Sequence, residues 1–539
     1  MRLRRLALLA VAALLTGAAP AERAVPDPRS ADRIRATVEF LSDDLLEGRD
    51  TGSRGHEIAA GYVASKFREL GLRPGGENGG WFVQVPLRRA TLASPPRISV
   101  TIGGKSVALT IGKDAALRPS LTMRDISIAA PLVFVGRGIS DRRLGIDDYA
   151  GIDVRGKVVV ALADEATTLP SEIASHLRSA QTEVAKEHGA AGFVLVDEPS
   201  ADLVKRTATR PAVDWIDAQG RTGRAGSSLA EVALSEEWAE RLFSRAPHSL
   251  RQVRTAALSN RPVPRFVLPA TIRIAGRSEW KDFTSPEVVA VLSGSDPKLA
   301  REHVVLMAHL DHLGIDRGAK PGEDAIYNGA LDNAAGVATM LEAARDFVQS
   351  GKPPRRSVMF IANTGEELGL LGAGYFATHP TVPAGDIVGL VDLDMPLLLY
   401  DFTDVIAFGA DHSTIARTVA AAGAGMRVAV SPDPMPEETL FVRSDHYQFV
   451  KRGVPAVFLM TGWGNGGREV WRRFLDRTYH TVKDDLSQPI RWEQGARFAD
   501  LNYRIARTMA DADQRPMWLA GDYFGDTFAP TQPKAVRRP

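Results

Sequence analysis

The residue types that could do chemistry together are histidines and carboxylates at particular spacings. In HVVLMAHLDHLG, His309 and Asp311 are two apart, which on a strand puts both on one face. A histidine with a carboxylate beside it is what a metal ligand and the group orienting its ring require. Asp332, in NGALDNAAG, stands where a loop turns into a helix; as an N-cap it would need no further explanation. Glu366 and Glu367 follow the apolar run SVMFIANTG. Adjacent carboxylates at a buried edge repel unless something positive lies beside them, whereas at a solvated helix start they are ordinary. Asp394, with Asp392 two before it, falls in IVGLVDLDM, where an unbound acid is costly. His480 lies in the turn-rich YHTVKDD.

The elements that must position these residues can be read from about 285 onward. VVAVLSG, HVVLMAHL, SVMFIANTG, IVGLVDLDM and AVFLMTG read as buried strands, and DNAAGVATMLEAARDFV and LGLLGAGYFATH as helices. Such alternation predicts βα units and an α/β fold: a mixed, mostly parallel sheet sandwiched by helices. His309, Asp332, Glu366, Glu367 and Asp394 then all fall at or just after the C-terminal end of a strand, the edge where open α/β sheets gather ligands. The chain has no cysteine, which removes thiolate sites, disulfides and cysteine nucleophiles. Histidines with several carboxylates suit zinc in a hydrolytic site. More than three such ligands suit two metals sharing one bridging carboxylate and one water.

The rest of the chain sets the frame. Residues 30–73 read helical, with Ile58, Tyr62, Val63, Phe67 and Leu70 on one stripe and Gly71 as the stop. Residues 86–280 change to short β-rich runs with one helix near 171–188, which predicts a separate domain. Arg2, Arg4 and Arg5, the apolar run Leu6–Leu15 and Ala19-Pro20-Ala21 have the form of a signal peptide over residues 1–21, so the expected location is exported, periplasmic or secreted. Its apolar run is too short to span a bilayer, and no stable membrane insertion is expected. With 66 basic and 65 acidic residues, bulk charge does not point to nucleic acid as a partner. Residues 526–539 are expected to be a disordered tail.

Seven segments in order, AHLDHLG, YNGALDNAAGVATMLEAAR, NTGEELGLLGAGYF, DLDM, RSDHYQF, GVPAVF and YHTVKDD, resemble the motifs of the co-catalytic di-zinc aminopeptidases. That family also holds glutamate carboxypeptidase, glutaminyl cyclase and the transferrin receptor. LSDDLLEGRDTGSRGHEIAAGYVASKFRELGL resembles the opening of the same domain, and the middle segment resembles an inserted protease-associated domain. The resemblance implies a zinc exopeptidase fold built from 22–90 and 280–525, with the protease-associated domain at 91–279. It implies two Zn²⁺ per chain: His309 and Asp394 on one, Glu367 and His480 on the other, Asp332 bridging. Glu366 would be the general base, Asp311 the carboxylate on the His309 ring, and Tyr479 the hydrogen-bond donor to the developing oxyanion. A cis bond between Asp332 and Asn333 is also expected.

The implied activity is release of N-terminal residues from peptides with a free α-amino end. The rivals are a carboxypeptidase for acidic peptides, using Arg443, Arg468, Arg472 or Arg473, a glutaminyl cyclase, and a receptor-like binding protein without catalysis. Other residues are expected to be structural. His312 reads as a packing or hydrogen-bonding histidine, and His176 and His188 as surface residues. Ser444, Asp445 and His446 are adjacent and so cannot form a serine triad. The glycines of 462–478 suggest mobility, with Trp463 and Trp471 as a wall over the cleft.

Overall fold

The computed structural model describes residues 27–163, 168–196, 203–223, 228–259 and 261–537. The expected signal segment, 1–21, lies outside them. Four parallel strands form the centre of the main sheet. His303–His309 lies between Ser357–Asn363 and Ile387–Asp392, and Ala456–Thr461 follows on the far side of Ile387–Asp392. All four are buried along their whole length, which is why they read as continuous apolar runs rather than alternating ones. The flanks are antiparallel: Phe266–Leu292 on one side and Asp404–Phe408 on the other. This is the mixed sheet that the sequence predicts, parallel at the centre where the candidate ligands lie.

Helices cover the sheet. Ala335–Gln349 and Trp492–Asp511 pack on His303–His309 and on each other. The second buries Phe498, Leu501, Asn502, Ile505 and Met509, a stripe at helical spacing. Near the start of the described chain, Arg54–Glu69 buries Ala59, Ala60, Val63, Ala64 and Phe67, while Ile58 is exposed. The small alanines let the helix sit close to the sheet, so the buried stripe is displaced from the one marked by the larger residues. Gly71 ends this helix at φ +75, as expected.

A second sheet carries the β-rich middle. Val158–Leu162 and Gly192–Val196 pair in parallel at its centre, and Arg97–Ile102 and Asp125–Phe134 flank Phe266–Leu292. Phe266–Leu292 is a single strand of 27 residues that belongs to both sheets. Phe82–Leu92 lies along its latter part. The expected boundaries at 90/91 and 279/280 therefore fall inside continuous strands, where no linker composition marks them.

Three local expectations are corrected. The helix near 171–188 breaks at Ala180 into Ser171–Ser179 and Gln181–Glu187. Residues 462–478 form a helix over Gly467–Arg477 with Trp471 in the core; Gly462 and Gly464 sit against Asp404 and Thr403, where a Cβ would collide, so they serve close packing. The tail is held through 537. Trp518 and Phe524 are buried in the main core, Leu519 bridges Ala535, and Lys534 Nζ donates to the Gly525 and Ala529 carbonyls at 2.6 and 2.7 Å. Aromatic anchors before the polar stretch fix it. Among the described residues no helix is long and apolar enough to cross a membrane.

Candidate metal centre

Asp332 divides its two oxygens between two histidines. Its Oδ1 is 3.2 Å from His309 Nε2, and its Oδ2 is 3.1 Å from His480 Nε2. His309 Nε2 is also 3.2 Å from Asp394 Oδ1, and His480 Nε2 is 3.1 Å from Glu367 Oε2. One carboxylate thus faces two histidine–carboxylate pairs, the arrangement a bridging ligand needs. His309 is the last residue of its strand, and Asp394 and Glu366–Glu367 follow the ends of the two neighbouring strands. All six residues named from the sequence as ligands or base meet here, with Tyr479 lining the same small cavity, about 50 Å³, as His309, Asp332, Glu366 and Asp394.

The backbone around the centre is unusual. The Asp332–Asn333 bond is cis, as expected, and Arg49, Met395 and His480 adopt positive φ without being glycine. Such conformations persist where the surroundings enforce them. Asn333 supplies part of that enforcement: its Nδ2 donates to the Leu393 carbonyl at 3.0 Å, and its Oδ1 accepts from the Gly336 and Met395 N–H groups. A Cβ at Gly336 would collide with Asn333 Oδ1 and the Leu393 carbonyl. Asp484 accepts from the Leu331 and Asp332 N–H groups at 3.0 and 2.9 Å. Ser444 Oγ lies 2.6 Å from Asp394 Oδ2.

Two roles differ from expectation. The Asp311 carboxylate does not reach the His309 ring; the Asp311 backbone carbonyl lies 3.2 Å from His309 Nδ1 instead. The carboxylate accepts from Thr51 Oγ1 and from the Glu366 and Glu367 N–H groups. It therefore holds the two glutamates rather than the imidazole, because the loop after Ser357–Asn363 turns back over it. His312, expected as a packing or hydrogen-bonding histidine, stands against a candidate ligand. It is 1% exposed and its Nδ1 is 2.6 Å from Glu367 Oε1.

Charge is concentrated here. Burial alone would lower the His309 pKa, but Asp394 and Asp332 raise it well above the usual imidazole range. Burial likewise opposes ionisation of Asp332, yet the His309 and His480 contacts hold it well below the carboxylate range. Glu366 moves the other way: burial first, then the neighbouring Glu367 and Asp394 charges, push it well above the ordinary value despite His309. Two adjacent glutamates are thus driven apart, since His312 and His480 contacts lower Glu367. Burial and the surrounding carboxylates also keep the Tyr479 hydroxyl protonated.

The donor set fits divalent cations. His309, Asp332 and Asp394 bring one ligand atom each within reach of a common ion, and so do His312, Asp332 and Glu367. Glu367 Oε1 and both His312 ring nitrogens are buried without a hydrogen-bond partner. Orphaned donor atoms of this kind are costly unless something else satisfies them.

Sequence reasoning missed several residues at the site. Arg49 is 1% exposed and donates to the Leu310, Leu41, Asn328 and Gly329 carbonyls. Its partners lie up to 280 positions away. Only the segment LEGRDTGS, already marked as part of the resemblance, could have directed attention to it. Asp484 was within YHTVKDD but unassigned.

The paired ligand clusters could each hold a divalent cation at this edge of the parallel strands. Residues 287–506 match the model of Peptidase family M28. Leupeptin-inactivating enzyme 1 of Streptomyces exfoliatus is 28% identical over 225 residues, 38% of this chain and 44% of that protein. The alkaline phosphatase isozyme conversion protein of Escherichia coli K12 is 35% identical over 101 residues, 18% of this chain and 27% of that protein. The chain thus spans less than half the length of these curated relatives. Among solved structures, an aminopeptidase from Aneurinibacillus sp. strain AM-1 superposes with a TM-score of 0.51 at 21% identity, covering 90% of this chain and 95% of that one. That likeness is one of fold.

Proposed function

We propose that this chain is an exported two-zinc aminopeptidase that cleaves N-terminal residues from peptides. The observation that carries the reading is the division of Asp332 between His309/Asp394 and His480/Glu367, beside a glutamate that belongs to neither cluster. When bound, the zinc ions would lower the pKa of a shared water and polarise the scissile carbonyl. Glu366 would take the proton from that water and deliver it to the leaving amine; its raised pKa suits a group that must hold a proton between the two transfers. Tyr479 would donate its hydroxyl proton in a hydrogen bond to the developing oxyanion, and its stacking on the His480 ring at 3.8 Å fixes its direction. Asp311, by holding the Glu366 and Glu367 N–H groups, would set the spacing between base and ligand.

The carboxypeptidase rival needs a free guanidinium facing the cleft. Arg443 lines the cavity but lies 3.0 Å from Glu438, and Arg468 and Arg472 lie over the Trp463 ring. Met395, Leu440, Phe458 and Met460 supply an apolar end to the cavity, which favours uncharged N-terminal side chains. Export rests on the basic and apolar pattern of residues 1–21 alone. The test is a panel of peptides with free and acetylated N-termini, assayed with and without chelator. Chelator-sensitive release of the first residue from free peptides only is expected. Equal cleavage of acetylated peptides from the C-terminus would favour the carboxypeptidase.

A further inference from the structure

We propose that His312 is an additional metal ligand, so that the ion bound by Glu367 and His480 is held by two imidazoles. The inference rests on the two-metal reading above and deepens it. His312 Nδ1 is 2.6 Å from Glu367 Oε1 and 4.0 Å from Asp332 Oδ2. Yet neither atom of the close pair has a hydrogen-bond partner, so the contact lacks the alignment of an N–H donating to a carboxylate. His312, Asp332 and Glu367 nevertheless bring one donor atom each within reach of a common ion. Glu367 Oε2 and Asp332 Oδ2 meet His480 Nε2 on the other side of that point, and the His312 and His480 rings are 5.8 Å apart at 70°.

The ring is also fixed in this orientation. Gly329, at φ +59, has no Cβ; one would sit 2.7 Å from the His312 ring carbons and against the Asp332 carbonyl. The His312 backbone N–H donates to the Arg49 carbonyl at 3.3 Å. A histidine needed only to fill space would not set an unpaired Nδ1 against a carboxylate oxygen in a site of 1% exposure. With His312 included, Asp332, Glu367, His480 and His312 surround one ion, while His309, Asp332 and Asp394 surround the other. The two positions then differ: the first has four protein ligands and the second three, so the second has more room for substrate.

Cobalt serves as the probe, loaded into the full chain. Metal per chain is measured after dialysis, and proton NMR resolves the strongly shifted imidazole N–H signals of cobalt-bound histidines. The wild type is expected to show a His312 signal in addition to those of His309 and His480. His312→Gln should lose that signal, change the visible cobalt band, and weaken retention of one ion by ~10–100-fold or more. A wild type that binds two ions but shows only the His309 and His480 signals would overturn the inference and leave the two-metal reading intact. A wild type that binds no cobalt would overturn both. Because the wild-type spectrum alone decides, the test does not depend on the variant folding.

Discussion

Glu366 and Glu367 are neighbours in sequence with opposite surroundings, and substitution should separate their work. Glu366→Gln keeps shape but removes the base; metal content should stay unchanged while kcat falls by roughly 10²–10⁴. Glu367→Gln should instead lower metal content, with activity partly recovered in excess zinc. Metal analysis alongside kinetics checks both. Glu287 offers a second test at this scale. It is fully buried, neither oxygen has a hydrogen-bond partner, and burial raises its pKa to about 8, with the nearby Thr364 N–H offsetting only part. A carboxyl raised on folding costs stability as pH climbs from its unfolded value near 4.5 to about 8. Glu287→Gln should therefore raise Tm at pH 8 and change little at pH 4, as thermal unfolding across that range would read. His309, Glu367 and Asp394 were legible in sequence because each sits at or just after the end of an apolar run, and Asp332 and His480 from the motifs around them. The partners of Asp311, the unpaired nitrogens of His312 and the place of Arg49 were not, because a residue type does not disclose which of its atoms is left unpaired or which distant group it will meet.

Helices and turns from three parts of the chain meet at His412. Its Nδ1 is 2.6 Å from Asp522 Oδ2 in the C-terminal segment, and its Nε2 is 3.2 Å from Glu172 Oε2 in Ser171–Ser179. Next to it His176, expected on the surface, has its Nδ1 2.7 Å from Tyr447 Oη and is ringed by Tyr523, Phe524 and Phe528. His188 is exposed, as expected, and stacks on Tyr149. Burial disfavours charge on His412, but Asp522 and Glu172 outweigh it and raise its pKa to about 10. A group raised on folding contributes fully below its unfolded value, 6.5, and loses that contribution as pH rises toward 10. Wild-type Tm should fall between those limits, and His412→Gln should flatten the slope; a pH series of melts decides. The strands of the main sheet were readable from their apolar runs. The helix Gly467–Arg477 and the anchored tail were not, because glycine and proline content describes freedom in isolation, not the core that captures a neighbouring tryptophan.

At the scale of the molecule, the centre draws on Arg49, Asp311, Asp332, Asp394, Ser444 and Asp484, spread over most of the chain. Ions bound there would tie these segments together, and ligand binding to the folded state alone raises apparent stability. Chelation should lower Tm, and added zinc should restore it in a concentration-dependent way; a Tm indifferent to zinc would place the metals outside the fold's own stability. The order of segments was legible from sequence, whereas the seam between the two sheets was not, since it runs through strands.

That seam has a consequence for how the protein is made. Phe82–Leu92 finds its long partner only when Ser278–Val288 exists, about 200 residues later in synthesis. Val83 and Val85, buried in the finished core, lie on that strand and so depend on a partner from the far end of the inserted segment. Joining the two halves of the first sheet is therefore the closing of a loop of about 200 residues, and the helix that carries Phe67 meets Phe360 of that sheet only from the far side of that loop.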